Sequence, residues 1–114
     1  MTAILKILNL IASTGSAAAA IIALSKPELL SRSRTVEAGE IFYMRLYAAR
    51  SIPLGVTFGL LPFYFRGPAA AWVLFTASAI QWVDVAIQIS RKDKGALAPT
   101  TAAIVHFACG LSMF

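Results

Sequence analysis

Four apolar stretches, residues 4–24, 40–65, 69–90 and 98–114, alternate with three short polar ones along the chain. A helix needs about 20 mostly apolar residues to cross a bilayer core. The first three stretches reach that length, and the fourth is short for a full crossing. The pattern predicts an all-α fold, a single domain over residues 1–114 built as a four-transmembrane-helix bundle. Arg66-Gly67-Pro68 is a minimal turn that stops one helix and starts the next, so the second and third spans run antiparallel. In the longer polar stretch, Ser25 and Glu28 read as a capping box around Lys26-Pro27, opening a short interfacial helix over Leu29 and Leu30. Pro99 is placed to open the last helix.

Small residues mark where helices approach. Ser13, Ser16, Ala17 and Ala20 offer one close-packing face on the first span. The alanine run there also reads as a signal-peptide cleavage site behind Lys6, but Ile21, Ile22, Ala23 and Leu24 continue the apolar run, which favours a retained span. Gly55 and Gly59 form a GxxxG pair, read as packing rather than dimerisation. Pro53 removes one helical hydrogen bond and crowds the Ala49 carbonyl, which predicts a bend.

Composition sharpens this picture. The chain is 59% hydrophobic and 13% charged, against roughly 45–50% and 25% in soluble domains, so the apolar excess faces lipid. The net charge of +5 is gathered in loops. Lys26, Arg32, Arg34, Arg91, Lys92 and Lys94 lie in the first and third loops, with only Lys6 and Arg66 on the other side. The positive-inside rule then places loops 25–39 and 91–98 in the cytosol, in the endoplasmic reticulum of a eukaryote or the inner membrane of a bacterium. No aromatic and basic platform lies outside the apolar segments, so no nucleic acid is expected as a partner. One cysteine, Cys109, and one histidine, His106, leave no disulfide and no metal set to build, and no cofactor motif is present. His106 and Cys109 share a helix face, and packing is the simpler reading of both.

The informative residues are the charges inside the spans. Arg45 lies close enough to the loop to snorkel toward headgroups, whereas Arg50 is deeper, where a charge is costly unless it meets a partner. A tight hairpin centred on Gly67 sets Arg50 level with Asp84, which lies roughly 9 Å in from the loop at ~1.5 Å per residue. Gln81, Asp84 and Gln88 fall on one face of the third span, and Glu40, Tyr43, Tyr47 and Arg50 on one face of the second, at about 100° per residue. The same depth count brings His106 to their level. The expected site is therefore an Arg50–Asp84 pair ringed by Tyr43, Tyr47, Gln81, Gln88 and His106, with Glu40 at its mouth. Such a pair serves as a catalytic centre or only locks two helices in register.

The run RLYAARSIPLGVTFGLLP, followed by a third span with an aspartate, resembles the small four-span DoxX-like membrane proteins, closest to a fungal and bacterial branch of them. Arg45, Ala49, Arg50, Gly55 and Asp84 carry the resemblance; Ser51 stands where such relatives often have an acid. The resemblance implies a four-helix bundle. Some members look like accessory subunits of membrane redox complexes, and other small fungal membrane proteins resemble acid-initiated cyclases of lipophilic substrates.

Two functions follow as expectations. One is a membrane-embedded cyclase or isomerase in natural-product biosynthesis, acting on a lipophilic small molecule such as a terpenoid or polyketide. Asp84 or Glu40 would be the acid, Arg50 would orient it, and Tyr43, Tyr47, Gln81, Gln88 and His106 would line the substrate. The other is a non-catalytic accessory or scaffold subunit. Either would work among membrane lipid, as a homo-oligomer or with another small membrane protein.

Overall fold

The computed structural model describes residues 2–92 and 94–114. It is helical, with no strand among the described residues: α1 (Ala3–Ser25), α2 (Pro27–Ser31), α3 (Ala38–Tyr64), α4 (Pro68–Ser90), a 3-10 turn at Lys94–Ala96, and α5 (Leu97–Leu111). The helices match the predicted spans to within a few residues at each end. Three of them, α1, α3 and α4, are long and apolar enough to cross a membrane. α5 has 15 residues, about 22 Å at 1.5 Å per residue, against a hydrocarbon core of ~30 Å. Pro99 lies inside the first turn of α5 rather than before it. Asp93, which the sequence assigns to the 91–98 loop, lies outside the described residues.

The chain forms two compact units, and α1 and α3 each contribute to both. The first unit comprises Met1–Ala12 and Phe58–Phe114. Its core sets Ala70, Ala71 and Leu74 of α4 against Cys109 and Met113, with Leu5, Leu61 and Phe75 packed around them. Gly67 caps α4 at φ 95°, a backbone region that glycine enters without penalty, and Pro68 opens the helix as the hairpin motif predicts. α4 and α5 pack together, helped by the Ser78 hydroxyl, which donates to the Ala103 carbonyl at 2.8 Å.

The second unit is Ser13–Thr57. Ser13, Ala17, Ala20 and Ala23 form a buried stripe on α1, three or four residues apart as one helix face requires. Of the expected close-packing face, Ser13, Ala17 and Ala20 are buried and Ser16 is half-buried, and Gly55 of α3 lies directly against Ser13 and Ala17. The capping box expected at Ser25 and Glu28 does not form. Ser25 instead ends α1, its hydroxyl donating to the carbonyls of Ile21 and Ile22 at 3.2 and 3.3 Å, and Lys26 precedes α2 as its N-cap without a side-chain hydrogen bond. The capping glutamate is Glu40: its Oε2 accepts from the Glu37 backbone N–H at 2.7 Å, satisfying a donor at the start of α3.

Ser13 Oγ is buried without a hydrogen-bond partner. A hydroxyl orphaned in this way contributes no stabilisation through hydrogen bonding, and removing it relieves a desolvation penalty. Ser13→Ala is therefore expected to leave the denaturant midpoint unchanged or raise it, and a clear fall would show that the hydroxyl is engaged.

Candidate functional site

The most completely built polar site begins with a proline. In α3 the carbonyl of Phe58 would ordinarily accept from the backbone N–H four residues on, but that residue is Pro62, which has none. A carbonyl freed inside an apolar span must be satisfied by a neighbouring helix or a side chain. Asn9 of α1 supplies the donor: its Nδ2 reaches the Phe58 oxygen at 2.8 Å. Because a carbonyl only accepts, the amide orientation is fixed, and Asn9 Oδ1 is turned to His106 of α5, 2.7 Å from Nδ1. An amide oxygen has no proton to give, so Nδ1 carries the hydrogen of this bond. Asn9 and His106 are 0% and 1% exposed. Three helices of the first unit are thereby joined by one relay, Phe58–Asn9–His106, about 9 Å inside the C-terminal end of α3.

His106 was expected beside Asp84 and the glutamines; its hydrogen bond goes instead to Asn9. Sequence reasoning did not place Asn9 or Pro62 in a site. Their signal is nonetheless visible, since a proline inside a span creates a demand for an outside donor. Asn9 is the only asparagine in the chain.

The remaining expected site residues divide between the two units. In the first, Gln81, Asp84 and Gln88 share one face of α4 at helical spacing. Asp84 and Gln88 are half-buried, and Gln88 Oε1 is buried with no hydrogen-bond partner. In the second unit, Glu40 is occupied as the α3 cap, its Oε1 also accepting from the Ser33 hydroxyl. Tyr43, Tyr47 and Arg50 are exposed. Arg50 and Asp84 thus belong to different units.

The chain matches no protein-family model, no curated protein and no solved structure. Cys109 is buried within the core that α4 and α5 share. Among the described residues no three His, Cys, Asp or Glu side chains group closely enough to hold a metal ion. What the arrangement offers chemically is a carboxyl and two amides on one face of α4, and an oriented imidazole on α5.

Proposed function

We propose that the chain is a four-span integral membrane protein of DoxX-like type that performs acid–base chemistry on a lipophilic molecule, with Asp84 as the acid. The observation that carries this reading is the α4 face. Asp84 sits half-buried in a membrane-length helix with no hydrogen-bond partner among the described residues of its own unit, one turn from the unpartnered Gln88 Oε1. Ionisable groups inside a span are costly and are retained where they face a site or a partner. A carboxyl with unfilled hydrogen-bonding capacity is suited to protonating an alkene, epoxide or carbonyl that enters from the bilayer. Gln81, on the same face of α4, would border the substrate.

Other features support four spans. On α5 the exposed Ile104, Phe107 and Leu111 alternate with the buried Ala102, Ala103, His106, Cys109 and Gly110, the apolar outer face of a lipid-facing helix. On α3, Tyr43 and Tyr64 are 71% and 75% exposed and stand about 31 Å apart, the thickness of a hydrocarbon core, as an interfacial aromatic pair would. Tyr43 is then an interface anchor before it is a substrate residue. The basic loops around Lys26 and Lys92 put that end of α3 on the cytosolic side, in the endoplasmic reticulum of a eukaryote or the inner membrane of a bacterium.

Arg50 supports a second reading. It is exposed and lies about 10 Å inside Tyr43 along α3, too deep for a free guanidinium in lipid. A second membrane protein or another copy that covers it would make the chain an accessory or scaffold subunit.

A strain lacking the gene, restored with wild type or Asp84→Asn, separates the two. With membrane abundance measured alongside, the variant is expected at normal level while an apolar precursor accumulates and product is lost. Intact product formation by normally inserted Asp84→Asn would end the role of Asp84 as the acid. Disappearance of the variant from the membrane would make the aspartate structural and favour the subunit reading.

A further inference from the structure

Within the second unit, an open cleft of about 200 Å³ lies between the end of α1 and the first turns of α3, lined by Ala23, Leu24, Pro27, Ile41, Met44 and Arg45. Five of its six walls are apolar and the sixth is a guanidinium. We infer that this cleft binds an anionic glycerophospholipid, with its phosphate on Arg45 and the start of an acyl chain on Leu24, Ile41 and Met44.

Three observations carry the inference. The first is depth. Arg45 is two residues inside Tyr43 on α3, about 3 Å along the axis, and level with the last turn of α1, where Ala23 and Leu24 meet it in the cleft. That is the height at which headgroup gives way to hydrocarbon, so a ligand there must be anionic at one end and apolar at the other.

The second is charge. Arg45 has no ion pair or hydrogen bond to its side chain among the described residues. The nearest carboxylate along its helix, Glu40, is occupied: its two oxygens take the Ser33 hydroxyl and the Glu37 N–H. An exposed arginine left unpaired at this height needs an external anion, and its planar fork matches a phosphate.

The third is size and shape. The cleft is smaller than the ~300–1,000 Å³ pockets that enclose a drug-sized ligand and is open on one side. It suits one headgroup and the first part of one chain, with the rest of the lipid lying in the bilayer. Basic pockets between helices on the cytosolic side are a known physical solution for holding anionic headgroups. The inference needs the protein to reside in a membrane but does not depend on any chemistry at Asp84.

The test uses the purified full-length chain in detergent micelles. It is titrated with dioleoyl phosphatidylglycerol and, separately, dioleoyl phosphatidylcholine, and bound lipid is counted by native mass spectrometry. Wild type is expected to bind the anionic lipid about fivefold more tightly, the weight of one basic residue at an anionic surface. Arg45→Gln is expected to abolish the preference, and Arg66→Gln, in the α3–α4 turn, to keep it. Met44→Trp fills the apolar half of the cleft while leaving the charge, and is expected to lower occupancy by both lipids. If Arg45→Gln does not fold, Met44→Trp decides: unchanged binding overturns the inference. Equal affinity of wild type for the two lipids, or an undiminished preference in folded Arg45→Gln, overturns it as well. Displacement of the lipid by millimolar inorganic phosphate would identify a free-phosphate site instead and would also overturn it. Asp84→Asn is expected to bind lipid as wild type does, so failure here and failure of the Asp84 chemistry are read separately.

Discussion

Asn9→Ala is expected to destabilise the protein by about 2–3 kcal/mol, and about half of that loss is expected to vanish when Pro62 is also replaced by alanine. The substitution removes two buried hydrogen bonds at once, Nδ2 to the Phe58 carbonyl and Oδ1 to His106. A hydrogen bond between membrane helices contributes ~0.6 kcal/mol on average and up to ~1.7. Groups orphaned in an apolar interior add ~1–3 kcal/mol of desolvation. Both orphans here sit where neither lipid nor water replaces the lost partner, so the upper part of the range applies.

Pro62→Ala changes the accounting at one end only. Residue 62 regains a backbone N–H, and the Phe58 carbonyl has a helical donor whether or not Asn9 is present. In that background Asn9→Ala leaves His106 alone unsatisfied, and the penalty falls to roughly 1–1.5 kcal/mol. The measurement is a double-mutant cycle by denaturant titration in mixed micelles, the one method that isolates the pairwise contribution. Equal penalties for Asn9→Ala in both backgrounds would show that Asn9 does not serve the proline-freed carbonyl. A single mutant indistinguishable from wild type would show that the relay is not formed in the membrane-bound protein.

Much of the fold could be read from the chain because its signals are local. Apolar runs between Gly, Pro and basic loops give the helices, and Gly67-Pro68 gives the hairpin turn. The spacing of Ser13, Ser16, Ala17 and Ala20 marks the face of α1 on which Gly55 of α3 meets Ser13 and Ala17, because 3.6-residue periodicity and side-chain size are properties of one helix. The caps were less legible. Ser25 and Glu28 have the right spacing, but Ser25 bonds back to its own helix, a competition that polar side chains at helix ends often resolve this way. Glu40 reads in the sequence as an acid at the mouth of a span, whereas its position three residues after Glu37 is the spacing of a helix cap.

The candidate site divided along the same line. Gln81, Asp84 and Gln88 share a face because they share a helix. His106 could be given a depth from sequence but not a neighbour, since its partner lies near the opposite end of the chain on α1. Tyr43 and Arg50 could be assigned to one face of α3, but not to the exposed side. Exposure depends on which neighbours cover a helix, and periodicity in a span that is apolar nearly all round does not report that.

Gly55→Ala and Gly15→Ala are expected to move stability in opposite directions, although both replace a mid-helix glycine by a better helix former. Alanine gains up to ~1 kcal/mol over glycine from propensity alone, so the sign depends on what the new methyl meets. At Gly15 it meets nothing within 4 Å, and the propensity gain stands. At Gly55 a Cβ would lie 2.8 Å from the Ser13 backbone oxygen, 3.1 Å from Ala17 Cβ and 3.3 Å from the Ala17 nitrogen. The closest of these is backbone on a helix, which cannot rotate aside as a side-chain tip can, so α1 and α3 must separate locally. Overpacking of this kind costs about 1–3 kcal/mol, and it also strips contacts from Ala17 and its neighbours along the stripe, since dispersion falls off steeply with even a 0.5–1 Å gap. Unfolding midpoints of the two variants against wild type, in the same micelle, give the answer. A stabilised Gly55→Ala would mean that the two helices are not in close contact at this point, and the small-residue stripe on α1 would then need another reason. A destabilised Gly15→Ala would place a neighbour against the outer face of α1, where the chain by itself has none.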